Sequence, residues 1–146
     1  MSATLKKSIT TGLTVFLISP FNPVLAGWVF ISNDNVGNAY YYEDSKTVKD
    51  NANSEVSTWQ MITYPEALTA PNGAATQSVI QDISYFCRAG YESYKQFYIG
   101  YYSGPGGSGV SVEQLDTSGS TWERVIPDTM SYVLYEFFCK KLTPPK

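Results

Sequence analysis

Histidine is absent from the 146 residues. That removes triads and dyads built on imidazole, histidine zinc sites and histidine pH switches. Acid–base work would fall to carboxylates, and Glu43, Asp44, Asp82, Glu92, Glu113, Asp116, Glu123, Asp128 and Glu136 are scattered along the chain with no two marked as converging. A serine nucleophile would need a lysine partner, and no Ser-x-x-Lys motif occurs. Gly104-Pro105-Gly106-Gly107-Ser108-Gly109 lacks the Lys-Ser/Thr ending of a phosphate loop and reads as a flexible hairpin connection. Asn33-Asp34-Asn35 lacks the spaced acids and bidentate glutamate of a calcium loop and reads as a polar turn. No catalytic residue, metal or cofactor is expected, and the chain reads as non-enzymatic.

Cysteine and tyrosine carry more. Cys87 and Cys139 are the two cysteines. They form no Cys-x-x-Cys motif, and two thiolates without histidine are too few for a metal site. In an oxidising compartment they pair. The bond would close a loop of roughly 50 residues and stabilise the fold by about 4 kcal/mol in the chain-entropy picture. Tyrosine occurs 12 times, and aromatics make up 15% of the chain. On a regular strand Tyr94, Tyr98 and Tyr102 share one face with Glu92 and Gln96, while Tyr91, Phe97, Ile99 and Tyr101 share the other. Both faces of that strand are then apolar. One packs the core. The other either packs too or forms a protein-binding or dimer face, for which tyrosine supplies contact area at low entropic cost.

The elements that must position these residues begin after a leader. Lys6 and Lys7 precede the apolar run Leu13-Thr14-Val15-Phe16-Leu17-Ile18, and Val24-Leu25-Ala26 ends it with a cleavage pattern. The run is too short to span a membrane, so residues 1–26 read as a secretory signal and 27–146 as the exported domain. A lipoprotein would carry a cysteine just past Leu25-Ala26-Gly27, where Trp28 stands, so no lipid anchor is expected. The net charge of −3 gives no field that attracts nucleic acid.

The remaining chain reads mainly as strands. Trp28–Ile31 and Ala39–Tyr42 form a hairpin, and Val56–Tyr64 is a third strand closed by Pro65. From Val79 to Cys87 the residues alternate, interrupted by Gln81; the alternation favours a strand, although Val79, Ile80, Ile83 and Phe86 also fit a helical period. Tyr91–Tyr102 and the run around Val110 and Val112 are further strands, and Trp122–Pro127 is a short segment. After Pro127 the period changes. Asp128 or Thr129 is a good N-cap, and Met130, Val133, Leu134, Phe137, Phe138 and Lys141 define one helix face. The expected fold is α+β: a single twisted antiparallel sheet of about six strands, a C-terminal helix packed on one face, and one helix–sheet disulfide.

The ordered set Trp28, Tyr41-Tyr42-Glu43-Asp44, Val56-Ser57-Thr58-Trp59, Ser78, Cys87, Tyr98 to Gly109, Trp122-Glu123-Arg124-Val125-Ile126-Pro127 and Cys139 resembles the surface-adhesin protein E-like family of bacterial exported proteins. The resemblance covers Gly27 to Leu142. It implies a sheet–helix fold with one disulfide. It also implies an adhesion module that recognises host extracellular-matrix or serum proteins such as vitronectin, laminin and plasminogen, and that can associate as a homodimer. Without an anchor, the location would be the cell surface, the medium or the periplasm. A periplasmic, envelope-associated structural protein without a host ligand is the alternative.

Overall fold

The computed structural model of the chain describes residues 27–142. The leader assigned to residues 1–26 lies outside the described residues, as do residues 143–146. Eight strands form one antiparallel sheet: β1 (Trp28–Asn33), β2 (Ala39–Glu43), β3 (Val48–Asp50), β4 (Glu55–Thr69), β5 (Ala75–Phe86), β6 (Ser93–Tyr102), β7 (Ser111–Asp116) and β8 (Glu123–Arg124). Their order is β1-β2-β4-β5-β6-β7. The short β3 pairs with β4 beside β2, and β8 pairs with β6 beside β7. The sheet is therefore about six strands wide, as expected.

The long strands β4 and β5 make the centre. Val56, Thr58 and Gln60 on β4 pair with Tyr85, Ile83 and Gln81 on β5, and all six are buried. This settles the Val79–Cys87 stretch as strand. Val56, Ile83 and Tyr85 belong to the helix-covered core together with Tyr42 of β2. Pro65 does not end β4. Pairing is irregular between Thr63 and Leu68, then resumes as Leu68↔Thr76 and Thr69↔Ala75 before the turn over residues 70–74. Proline lacks the N–H a ladder needs, and an irregular, exposed stretch tolerates that loss.

The helix α1 (Met130–Glu136) starts at Thr129, whose hydroxyl accepts the Tyr132 N–H. Lys140 and Lys141 lie in the last turn, opposite the negative end of the dipole. Phe137–Lys141 widens into a π turn, closed by the Leu142 N–H on the Phe137 carbonyl at 3.0 Å. The buried residues are Leu134, Tyr135, Phe138 and Cys139, whereas Val133 and Lys141 face solvent. The expected stripe is thus rotated by one residue. Phe138, fully buried, stacks on Tyr85 at 5.1 Å and meets the edge of Tyr42 at 5.6 Å. Cys139 bonds to Cys87, just past the end of β5, with 5.2 Å between Cα atoms. Among the described residues no helix is long and apolar enough to cross a membrane.

Candidate functional site

A one-residue bulge decides what each face of the sheet presents. Tyr85 pairs with Tyr94, Ser84 with Lys95 and Ile83 with Gln96, but Asp82 then pairs with Tyr98. Phe97 is the extra residue, and beyond it the side chains of β6 change face. Tyr94 therefore lies on the helix side, packed against the core, while Tyr98 and Tyr102 lie on the opposite side with Asp82 and Ser78. The three tyrosines do not share a face. Strand regularity was the condition for that expectation, and the bulge removes it.

On the helix side the centre of the sheet is polar. Gln96 donates to the Gln81 carbonyl at 2.7 Å, Gln81 to the Gln60 carbonyl at 3.1 Å, and Gln60 to the Tyr85 hydroxyl at 2.7 Å. This ladder crosses three strands and satisfies amides that would otherwise be costly to bury. It ends in a cleft of about 290 Å³ at the start of α1, where Tyr94 donates to Glu123 at 2.7 Å beside Ser131. Burial, then the Glu123 carboxylate, pushes the Tyr94 hydroxyl up to about 12. Tyr40 reaches about 12 through burial and then the Asp34 carboxylate, to which it donates at 3.1 Å. Burial alone would raise Asp34, but donors from Asn38, Val36 and Tyr40 outweigh it and hold the carboxyl below its ordinary value. Asp34 is thus the polar turn residue expected from its sequence context.

The opposite side is aromatic. Phe30 meets Tyr41 edge-on at 5.5 Å, and Trp59 meets Tyr98 at 5.7 Å. Lys46 lies over the Trp59 ring at 5.3 Å and pairs with Glu43 at 3.2 Å. Gly100 has no side chain where a Cβ would come within 2.7 Å of the Tyr98 hydroxyl and 3.3 Å of the Tyr102 ring. The two rings therefore cover the glycine, an arrangement that shields an otherwise bare strand backbone. Burial, then the neighbouring Tyr102, raises the Tyr98 hydroxyl above its ordinary value.

The glycine-rich connection is not a loose loop. It folds over one end of this aromatic side, where Gly107 donates to Ser78 Oγ at 2.8 Å and Gly106 to Thr63 Oγ1 at 3.1 Å. Gly107 has a φ of +74°, and a Cβ there would meet Ile80 at 2.7 Å. Only glycine fits both the conformation and the contact. The arch covers Ile80 and Met61 and leaves the Phe30, Tyr41, Trp59 and Tyr98 region beyond it.

Sequence reasoning did not single out Trp59, Asp82 or the three glutamines as members of a site. Gln81 was visible as the residue that interrupts the alternation of β5. The others gain meaning only from cross-strand register. Among the described residues no group of three or more acidic or cysteine side chains could hold a metal.

A disulfide-stapled antiparallel sheet with one helix on one face and an aromatic opposite face defines a small α+β scaffold. The family model described as surface-adhesin protein E matches residues 28–140, and the chain belongs to that family. Structures of Haemophilus influenzae protein E share the fold. One is 20% identical, covers 85% of this chain and 92% of that one, and superposes with a TM-score of 0.55. A second crystal form is 17% identical over 85% of this chain and 95% of that one, with a TM-score of 0.58. Protein E from a non-typeable strain is 20% identical, covering 84% and 81%, with a TM-score of 0.53. Comparison with curated protein sequences gives no match.

Proposed function

We propose that residues 27–146 form an exported adhesion module that binds a host matrix or serum protein through the aromatic face of its sheet. The observation that carries this reading is the division of labour between faces. The helix, its disulfide and Phe138 fill one side, whereas Phe30, Tyr41, Trp59, Tyr98 and Tyr102 are spread over the other. Phe30 is 51% exposed, although it lies in a strand. Large rings left at a surface are the usual anchors of protein recognition. Membership of the adhesin family supports binding rather than catalysis and a place at the cell surface.

The test is surface binding of the purified exported chain to a panel of matrix and serum proteins. The paired variant Tyr98→Ser with Tyr102→Ser is compared with Tyr94→Ser, which lies on the helix side. Phe30→Ser guards against the possibility that uncovering Gly100 unfolds the pair. The first and third variants should lose binding by roughly tenfold or more, as removal of an anchor ring does. Tyr94→Ser should leave it unchanged. Loss of binding in Tyr94→Ser alone, from folded protein, would move the interface to the helix side. Cell fractionation separates a surface or secreted protein from a periplasmic one.

A further inference from the structure

The register places Trp59, Asp82 and Tyr98 in one row across β4, β5 and β6 on the aromatic side. Strands two apart are about 9.5 Å from each other. The Trp59 and Tyr98 ring centres are only 5.7 Å apart. The rings therefore lean together over the strand between them, and Asp82 is the residue beneath. Its carboxyl is half-buried, and burial is what pushes its pKa up; no described residue gives it a hydrogen bond or an ion pair. Neither nearby cation pairs with Asp82. Lys46 pairs with Glu43, and the Lys95 ammonium lies 5.1 Å from the Phe97 ring.

A lone carboxylate under two aromatic rings costs the fold and returns nothing to it. Its complement is a cation with a flat face. A guanidinium can stack on a ring while its N–H edge pairs with a carboxylate, which an ammonium cannot do. The Trp59 ring already attracts one cation, since Lys46 lies over it with its side chain largely in solvent. We infer that the Trp59–Asp82–Tyr98 row is a receptor for an arginine side chain of the protein partner. This rests on the reading of the aromatic face as the binding surface, and it names the chemistry that face selects.

The probe is a short capped Gly-Arg-Gly peptide, with the citrulline counterpart as the neutral isostere. Amide and indole resonances of the exported chain are followed by NMR during titration, for the native protein and for Asp82→Asn and Trp59→Leu. The arginine peptide should shift the Trp59 indole and the Tyr98 amide saturably, and the citrulline peptide should not. Asp82→Asn should weaken the arginine response by roughly tenfold or more, the loss expected for a charged hydrogen bond. It should not lower the melting temperature, because it removes an unpaired charge. An equal response to both peptides, an unaltered response in folded Asp82→Asn, or shifts confined to Trp28 and Trp122 would overturn the inference. Matrix-protein binding that needs Tyr98 but not Asp82 would overturn it while leaving the adhesive face intact.

Discussion

Replacing both Cys87 and Cys139 by alanine tests how the helix is held to the sheet. The bond links residues 52 apart, and loop-closure entropy for a ring of that size is worth about 4 kcal/mol. Against a total stability of ~5–15 kcal/mol, that is a large share. For a domain of this size the melting temperature should fall by roughly 12–20 °C. The mechanism has its own signature. If the staple acts by restricting the unfolded chain, opening it lets that chain expand, and the urea m-value should rise as the midpoint falls. If it acts by holding Cys139 in place beside Phe138, stability should fall with m unchanged. Urea and thermal unfolding by near- and far-UV circular dichroism, on the native protein, the reduced protein and the double variant, separate the two. A loss below about 1 kcal/mol with m unaltered would refute the entropic account. The buried contacts of Phe138 with Tyr85 and Tyr42 would then secure the helix alone.

Two further outcomes follow from the polar interior. Gln60→Leu leaves the Tyr85 hydroxyl without its donor and Gln81 without its acceptor, so the urea midpoint should fall by an amount equivalent to about 1–3 kcal/mol. Tyr40, Tyr64 and Tyr94 titrate at about 12 in the folded chain, each raised first by burial. Between the ordinary tyrosine value near 10 and about 12 the native state holds more protons than the unfolded one, so their contribution is full below pH ~10 and is lost as pH rises through ~12. Phenolate absorbance against pH, with urea midpoints over the same range, checks both halves; an early titration of all tyrosines would contradict the burial.

Much of the architecture was legible because it depends on local composition. The period-two run of β5, the change of period after Pro127 and the Thr129 cap are each written within a few residues. Pro65 misled because a proline stops a strand only where its N–H is required, and the irregular pairing between Thr63 and Leu68 removes that requirement. The stripe of α1 is rotated already at Val133 and Tyr135, ahead of the π turn, because the cluster with Tyr42, Val56 and Tyr85 of the sheet decides which side of the helix is buried, and no apolar pattern within the helix announces that. The glycine-rich segment read as flexible since its anchors, Ser78 and Thr63, come from distant strands.

The candidate site was the least legible part, and Phe97 shows why. Side-chain direction along a strand is a parity, and one extra residue inverts it for everything that follows. Nothing in Tyr-Lys-Gln-Phe-Tyr marks where that residue sits, because the partner strand determines it: Ile83 faces Gln96, and Asp82 faces Tyr98. The inversion has a consequence for each side. It sends Gln96 and Tyr94 toward the helix, where they complete the glutamine ladder and the Glu123 contact. It sends Tyr98 and Tyr102 away from the helix, where they cover Gly100 and meet Trp59. A regular β6 would put Tyr94 on the face of Tyr98, and the ladder end would lose its neighbour beneath α1. Separation of a closed core side from an aromatic side therefore rests on a single inserted residue as much as on the tyrosines themselves.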